Sequence, residues 1–306
     1  MFENNVLGVC GYGFVGEALE KGMKHAFKVL VHDPFKYPES TRIAVGLGAS
    51  SSTREDGLTL VPTIDELTKQ CEVIFVCVPT PMNPDGSAST KIVDRVVASI
   101  AEFNRKNVVV IKSTVPPGTT QRLQVEFGAS LAGVVFNPEF LTEANYINDF
   151  KNQTRIILGG HDDRSKSIVK QVYQHAYPNV KTIKTHPTIA EMVKYTTNCF
   201  LATKVAYANE IYQICTELGV DYDKVIEYAR YDERLGNTHW AVPGPDGHYG
   251  FGGSCFIKDL NALMSIAKFL GIDSNVMKGA WEKNLEVRPE RDWEQLKGRA
   301  VVNDGK

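Results

Sequence analysis

The alternation of short apolar segments with helix-length amphipathic segments, over about the first 185 residues, constrains the fold most. The strand-length segments are rich in Val and Ile: Val6–Cys10, Val29–His32, Val73–Val78, Val108–Ile111, Val134–Phe136, Arg155–Leu158 and Lys181–Lys184. Amphipathic segments such as Thr90–Phe103 and Asp162–Ala176 lie between them. Strands that are apolar throughout and alternate with helices indicate a parallel sheet covered on both faces. The sequence therefore predicts an α/β domain over residues 1–187.

The sequence changes character after Pro187. Residues 188–218 contain neither Gly nor Pro, Thr188 and Glu191 match a capping box, and Gly219 provides a stop. This pattern predicts one long helix. Its apolar residues spread around much of the circumference, so we expect burial on several sides, between two domains and against a second subunit.

Three shorter helices and a loop are expected after the long helix. The helices are predicted at Tyr222–Arg230, Asp259–Leu270 and Asn275–Glu286, and the loop Asp232–Ser254 is rich in Gly and Pro. Residues 188–290 therefore form a predicted all-α domain for dimerisation, and residues 291–306 a C-terminal tail. The Ser- and Gly-rich segment Gly46–Gly57 is predicted to be an exposed loop.

A glycine-rich turn follows the first strand and precedes the first helix. Gly11, Gly13 and Gly16 are spaced as in dinucleotide-binding turns, with Phe14 and Val15 inside the turn. Asp33 ends the second strand, where a carboxylate binds ribose hydroxyls and repels a 2′-phosphate. The pattern predicts a Rossmann-like domain that binds NAD rather than NADP. A glycine turn without a ligand is the alternative.

Two loops with prolines follow later strands. They contain Thr80 and Thr114 and lie at the carboxyl ends of strands, where ligands bind in this architecture. We expect both threonines to contact the cofactor. The alternative is that the prolines only end the strands.

Two further segments carry groups suited to proton transfer. Glu139 and Glu143 follow a strand, and carboxylates there can transfer protons, although an exposed acidic loop has the same pattern. Lys194 and Asn198 are spaced to lie on one helix face, where they can hold one substrate oxygen and stabilise an oxyanion. A solvated lysine on a helix surface is the commoner explanation of that second pattern.

Cys255 differs from the other cysteines in its surroundings. It follows Gly250, Gly252 and Gly253 and precedes Lys258 and Asp259, whereas Cys10, Cys71, Cys77, Cys199 and Cys215 lie in apolar segments. Glycines leave the sulfur open, and a following helix with a lysine favours the thiolate, so Cys255 is a candidate nucleophile. A structural cysteine beside a glycine turn is the alternative.

Charge and cysteine usage narrow the class of protein. The 34 Lys and Arg against 36 Asp and Glu give no basic excess for nucleic acid or a membrane surface, and no apolar run spans a bilayer. The six cysteines show no metal-binding spacing. We expect reduced thiols, no metal, no secretion signal and a cytoplasmic protein.

Taken in order, these motifs resemble those of the UDP-glucose 6-dehydrogenases, within the UDP-glucose/GDP-mannose dehydrogenase family. The matching segments are GYGFVG, VPTP, STVPPGTT, NPEFLTE, KYTTN and GFGGSCFIKD. The resemblance implies a four-electron, NAD-dependent oxidation of the C6 alcohol of a UDP-sugar to the acid. The intermediates are a thiohemiacetal and a thioester on Cys255.

The resemblance also implies residue roles. Lys194 and Asn198 hold the oxygen at C6, Glu139 transfers a proton, and Asp259 with Thr114 directs water. Glu143 and Lys258 contact the cofactor. The sugar nucleotide site is expected to include these residues: Glu139, Phe140, Leu141, Lys194, Asn198, Phe251, Gly252 and, reaching into a neighbouring subunit, Arg234. Familiar members continue into a third domain, so we expect residues 291–306 to be its truncated beginning.

Two other functions remain open. Two-electron dehydrogenases of the β-hydroxyacid type share the glycine turn, a long helix and a Lys-x-x-x-Asn pair, but they need no cysteine. A catalytically inactive protein that binds NAD or a sugar nucleotide is the second alternative. The joint presence of Lys194, Asn198, Cys255 and Asp259 argues against it.

Overall fold

The computed structural model describes residues 5–36, 52–54 and 57–303. The chain divides into two compact units, one of residues 1–80 and 90–194, and one of residues 81–89 and 195–306. The division falls inside the long helix, at Lys194 and Tyr195, rather than at the start of that helix. Most of the predicted loop Gly46–Gly57 lies outside the described residues, and its described part includes a short strand, Ser52–Thr53.

The first unit is built on a nine-stranded sheet, counted over the described residues, with the order β3-β4-β2-β1-β5-β6-β7-β8-β9. The strands have these bounds: β1 Val6–Cys10, β2 Lys28–His32, β3 Ser52–Thr53, β4 Thr59–Leu60, β5 Val73–Val76, β6 Val108–Ile111, β7 Gly133–Phe136, β8 Arg155–Gly160 and β9 Lys181–Thr185. Six of the eight neighbouring pairs are parallel, whereas β3–β4 and β7–β8 are antiparallel.

Helices cover both faces of this sheet. Their bounds are α1 Phe14–Met23, α2 Ile64–Gln70, α3 Lys91–Glu102, α4 Thr119–Phe127, α5 Tyr146–Lys151 and α6 Asp163–Ala176. Alternate strand residues point to opposite faces, so Val73 and Phe75 join one apolar cluster while Ile74 and Val76 join the other. Burial on both faces explains why the strands are apolar throughout, and the predicted α/β architecture is confirmed.

The antiparallel pairs and the short strands β3 and β4 were not predicted. A strand buried on both faces has the same apolar composition in either direction, so the sequence of β8 does not encode its orientation. The four residues of β3 and β4 are too few to produce a recognisable pattern.

The second unit is helical. The long helix α7, Pro187–Leu218, crosses the division, and the other helices are α8 Tyr222–Ala229, α9 Cys255–Phe269 and α10 Asn275–Val287, with 3-10 turns at Glu233–Leu235 and Asp292–Gln295. The predicted long helix and small all-α domain are confirmed. In the tail, Trp293 and Ala300 pack in the apolar core of this unit, and Val301 pairs with Met82.

The predicted start of α9 at Asp259 is wrong by one helical turn. The helix begins at Cys255, with Ser254 at the N-cap position. The preceding glycines made the segment resemble a loop. Cys255 is therefore the first residue of the helix.

Within one chain, α7 exposes Phe200, Tyr207 and Leu218 by 67%, 55% and 70%, and the expected burial of this surface against a second subunit stays a prediction. The predicted capping box does not form. The Glu191 carboxylate accepts hydrogen bonds from the backbone N–H groups of Gly118 and Thr120, at 2.6 and 2.8 Å, and so caps α4 instead.

Candidate functional site

The glycine turn between β1 and α1 has the geometry that a pyrophosphate requires. Gly11 has a φ of +91°, and a Cβ there would lie 2.6 Å from the carbonyl oxygen of Cys77. A Cβ on Gly13 would meet nothing within 4 Å, so the backbone at the start of α1 faces open space. A helix N-terminus with open space above it favours an anion.

Asp33 lies beside this turn. Its carboxylate accepts hydrogen bonds from the backbone N–H groups of Tyr12, at 2.7 Å, and Phe35, at 2.9 Å. These bonds fix a carboxylate at the end of β2 next to the glycine turn, which is where a dinucleotide presents a ribose. The residues present therefore fit NAD.

The other expected cofactor contacts of the first unit lie in different surroundings. The Phe14 ring packs on Tyr146 at 5.0 Å between centroids, while Val15 packs against the core. Thr80 and Thr114 are buried at the carboxyl ends of β5 and β6. The roles of all four residues remain predictions.

Glu139 and Lys194 form a buried pair in the first unit. The Lys194 Nζ donates to the backbone carbonyl oxygen of Glu139 at 2.6 Å and to its Oε1 at 2.9 Å. The backbone N–H of Leu141 donates to Oε2 at 2.8 Å. Burial acts to raise the pKa of Glu139, but the charge of Lys194, with these hydrogen bonds, outweighs it and holds the pKa below its usual value. The pair can thus stabilise charge and exchange protons in a site of low dielectric.

The neighbours of this pair differ in exposure. Phe140 is partly buried, and its ring centroid lies 5.6 Å from the Lys194 Nζ. Glu143, predicted as a second carboxylate of the turn, is exposed. The structure therefore separates the two glutamates into a buried group and a surface group.

Asp259 forms a second buried polar cluster, in the second unit. Its side chain accepts hydrogen bonds from Asn198 Nδ2 at 2.6 Å and from Lys258 Nζ at 2.5 Å. Asp259 is 1% exposed. A buried carboxylate is costly unless it is paired, and here each oxygen accepts one donor. Lys258, expected to contact the cofactor, lies against Asp259.

Cys255 is the one cysteine of the chain that is partly exposed, while the other five are buried. Its position at the start of α9 places the sulfur at a helix N-terminus, which stabilises an anion. Asp259 follows one turn later on the same face. A thiolate with a carboxylate one turn away is suited to nucleophilic attack and subsequent hydrolysis.

Side chains from other elements fix the glycine loop before Cys255. Asn284 accepts a hydrogen bond from the Phe251 N–H at 2.7 Å and donates to the Phe251 carbonyl at 3.0 Å. Asn209 accepts from the Gly250 N–H at 3.0 Å, and Asp292, paired with Arg288, accepts from the Gly253 N–H at 3.3 Å. The loop is held in one conformation although it is rich in glycine.

Sequence reasoning did not identify Asn209, Asn284 and Arg288. Asn209 and Asn284 bind loop residues that lie 41 and 33 positions away in sequence, so no local pattern distinguishes them. Phe251, expected at the substrate site, has its side chain in the core of the second unit. Arg234 is exposed and paired with Asp232.

No helix among the described residues combines the length and apolarity needed to cross a bilayer. Within residues 5–36, 52–54 and 57–303, no group of three or more His, Cys, Asp or Glu side chains is arranged to hold a metal ion.

Family models match both units. Residues 48–177 match the NAD-binding domain of the UDP-glucose/GDP-mannose dehydrogenase family, and residues 188–286 match the central domain of that family. The chain is similar to a structure of a UDP-glucose dehydrogenase from the hyperthermophilic archaeon Pyrobaculum islandicum. The TM-score is 0.79 at 30% identity, over 96% of this chain and 71% of that one. Fold and site thus define an NAD-binding dehydrogenase fold with a cysteine-bearing helical unit.

This chain belongs to the UDP-glucose/GDP-mannose dehydrogenase family. It is also 35% identical to the UDP-glucose 6-dehydrogenase TuaD of Bacillus subtilis over 237 residues. The aligned region covers 76% of this chain and 50% of that protein. The chain spans about half the length of the curated relatives it matches. The fold is shared with 3-hydroxyisobutyrate dehydrogenase of Mycobacterium tuberculosis, at 16% identity and a TM-score of 0.68 over 94% of this chain and 95% of that one.

Proposed function

We propose that the chain catalyses the NAD-dependent oxidation of the C6 alcohol of a nucleotide sugar to the carboxylic acid, through a covalent intermediate on Cys255. The observation that carries the proposal is the half-buried thiol at the start of α9, with Asp259 one turn later. Relatives in the same family are UDP-glucose 6-dehydrogenases, and UDP-glucose is the substrate we propose.

The glycine turn and Asp33 would hold the cofactor. Gly11, Gly13 and Gly16 leave room for the pyrophosphate, and Asp33 would accept hydrogen bonds from the ribose hydroxyls. NAD, when bound, supplies the hydride acceptor, and two molecules are consumed because conversion of an alcohol to an acid removes four electrons.

We assign the first proton to the buried pair of the first unit. As the alcohol becomes an aldehyde, its hydroxyl proton must leave, and Lys194 would stabilise the developing oxyanion while Glu139 takes the proton. Burial of both side chains strengthens these electrostatic interactions. Asn198 would hold the same substrate oxygen.

Cys255 would then bond to the aldehyde carbon. A C–S bond forms, and the carbonyl oxygen takes a proton, which gives a thiohemiacetal. Loss of the second hydride equivalent and of that proton leaves a thioester. Water activated by Asp259, with Thr114, adds to the thioester carbonyl, the C–S bond breaks, and the acid leaves while the sulfur returns as a thiolate.

Counting NADH per acid product tests this function. The wild type is to be incubated with NAD and, in turn, UDP-glucose, GDP-mannose and an N-acetylated UDP-hexosamine. We expect two NADH per acid with UDP-glucose. One NADH per oxidised product would support the two-electron alternative, and no turnover with any sugar nucleotide would overturn the proposed activity.

Two variants make this measurement specific for the thiol. Cys255→Ser should abolish acid formation while NAD binding persists, because the glycine turn and Asp33, which would hold the cofactor, belong to the first unit. Cys215→Ser, a matched cysteine replacement in another apolar cluster of the second unit, should retain the stoichiometry of the wild type. Unchanged turnover of Cys255→Ser would defeat the covalent mechanism.

The remaining expected contacts and partners are also proposals. Glu143 and Lys258 would contact the cofactor, while Leu141, Gly252 and Arg234 would contact the sugar nucleotide, Arg234 from a neighbouring subunit. We propose a cytoplasmic homodimer that associates through the exposed apolar side chains of α7.

A further inference from the structure

Lys112 is a buried cation that the proposed reaction does not use. It directly follows β6 and is 3% exposed. Its Nζ donates to Asn137 Oδ1 at 3.0 Å and lies 3.3 Å from the backbone carbonyl oxygen of the same residue. It also lies 5.8 Å from the ring centroid of Phe150. No carboxylate of the described residues lies within ion-pair distance of this ammonium group.

Burial of an ammonium group without a carboxylate partner costs free energy, so a charged Lys112 at this position needs a compensating role. Burial lowers the pKa of Lys112 to about 8, with the Cys77 thiol and Glu139 acting to raise it and Lys194 to lower it. A pKa of about 8 leaves most Lys112 side chains charged near neutral pH. The groups that face it are thus Glu139, Lys194 and Cys77, together with the uncharged Asn137 and Phe150.

Asn137 connects Lys112 to the proton-transfer pair. Its Oδ1 also accepts a hydrogen bond from the Tyr173 hydroxyl at 2.5 Å, and its Nδ2 donates to the Ile157 carbonyl at 2.9 Å. Asn137 therefore has a fixed position two residues before Glu139. Lysines thus bind both ends of one short segment, Lys112 at Asn137 and Lys194 at Glu139.

The charge of Lys112 also acts on Glu139. Burial acts to raise the pKa of Glu139, and the Lys112 ammonium acts against it together with the charge of Lys194 and the hydrogen bonds from Leu141 and Lys194, so the pKa stays below its usual value. Two cations thus act on one buried carboxylate. Lys194 contacts the carboxylate directly, whereas Lys112 acts from the end of β6.

We propose that Lys112 is a positioning residue for the pair Glu139–Lys194: it fixes the segment Asn137–Glu139 and supplies a second positive charge that acts on the Glu139 carboxylate. The proposal rests on the proposed function only where it assigns that pair to proton transfer. The electrostatic part can be tested on the protein without substrate.

The first test is a titration of Glu139 by carbon-13 NMR of labelled glutamate carboxyl groups, with the signal assigned by its loss in Glu139→Gln. Lys112→Met removes the charge at similar length, and we expect the pKa of Glu139 to rise by about one unit because a nearby positive charge favours the carboxylate. Lys166→Met is the matched control, since Lys166 is also buried but pairs with Asp163 at 3.1 Å. It should leave the titration of Glu139 as in the wild type.

The second test is the pH profile of kcat with UDP-glucose. In Lys112→Met, Glu139 should become protonated at a higher pH, and a protonated Glu139 cannot accept the proton of the alcohol. The acid limb of the profile should therefore move to higher pH by as much as the pKa of Glu139 does. Lys112→Arg keeps the charge and should keep the acid limb of the wild type. Lys112→Gln keeps hydrogen-bonding capacity without charge, and it takes the place of Lys112→Met if that variant does not fold.

The outcomes separate the two proposals. A Glu139 titration that is unchanged in Lys112→Met or Lys112→Gln overturns the role of Lys112, whether or not the wild type turns over. In another outcome, the titration of Glu139 shifts in the Lys112 variants while the wild type oxidises no sugar nucleotide. That result supports the electrostatic role of Lys112 and refutes the proposed function alone. A shifted titration with an unshifted acid limb overturns the link between Lys112 and proton transfer.

Discussion

Asp259 is a buried carboxylate to which we assign both a structural and a chemical role. Asn198 and Lys258 donate to its two oxygens, so its charge is compensated in the core of the second unit. A carboxylate has about four lone-pair sites, and two donors leave capacity for a water molecule. Its position one turn after Cys255 suits it to activate the water that cleaves the proposed thioester.

Replacement of this carboxylate should separate hydrolysis from the earlier steps. Asp259→Asn keeps the size of the side chain but removes the base, so we expect kcat to fall by about 10²- to 10⁴-fold. Steady-state NADH formation measures the change. Asp223→Asn, an exposed aspartate of α8, is the control and should retain the rate of the wild type. A kcat for Asp259→Asn within about twofold of the wild type would contradict the assigned role.

Some of the important residues could be identified from the sequence, and others could not. Cys255 was identifiable because glycines surround it, and the structure confirms that it alone among the cysteines is partly exposed. Lys112 and Asn284 were not identified, because their partners lie far away in sequence. Neither lies in a local pattern that distinguishes it from a surface residue.

Among the elements, α4 and α7 are linked by one side chain. The Glu191 carboxylate of α7 caps the N-terminus of α4 through Gly118 and Thr120, and it is fully buried. Burial raises the pKa of Glu191, although the hydrogen bonds from Thr120 and Gly118 oppose this. Glu191 therefore holds the end of the loop that contains Thr114. Its contribution to stability depends on pH, because folding changes its pKa.

Removal of this cap should destabilise the first unit. We expect Glu191→Ala to lower the free energy of unfolding by about 1–3 kcal/mol, since buried N–H groups lose their acceptor. A carboxyl whose pKa is raised by folding binds its proton more tightly when folded, so the stability of the wild type decreases as pH rises from the ordinary glutamate pKa through the raised one. Glu191→Ala has no carboxyl group at this position, so its stability lacks this decrease with pH.

The loss in Glu191→Ala should therefore be larger at about pH 5 than at about pH 8. Urea denaturation at both pH values measures it. Glu210→Ala, at an exposed position of the same helix, should change stability little at either pH. Equal stability of the wild type and Glu191→Ala would contradict the capping role.

Element bounds were predictable where a local pattern determines them. Short apolar segments defined β1 and β6 to the residue, and the segment without Gly or Pro defined α7 within one residue. The start of α9 was misplaced because the cap, Ser254, lies among glycines. The pairing of Glu191 was missed because a local capping box and a distant helix N-terminus require the same carboxylate.

The whole molecule is expected to be a dimer because α7 exposes large apolar side chains. Phe200 and Tyr207 are more than half exposed and lie about two helical turns apart on α7, and exposed apolar side chains that cluster on a surface mark interaction sites. Sedimentation should give twice the 33.9 kDa of one chain. Phe200→Glu should shift the protein to the monomer, because a charge in an apolar interface is not solvated.

Phe269→Glu is the matched control for this prediction. Phe269 is also highly exposed, but it ends α9 rather than lying on α7. The variant should sediment like the wild type. A monomeric wild type, or a dimer unaffected by Phe200→Glu, would contradict association through α7.

A covalent bond between the sugar carbon and the sulfur of Cys255 is the central step of the proposed mechanism. Asp259→Asn, which should accumulate the thioester, is to be quenched in acid during turnover with NAD and UDP-glucose and digested for mass spectrometry. We predict that the peptide containing Cys255 carries the mass of the UDP-glucuronyl group and that no other cysteine does. An unmodified Cys255 during active turnover, or an adduct on another cysteine, would contradict the mechanism.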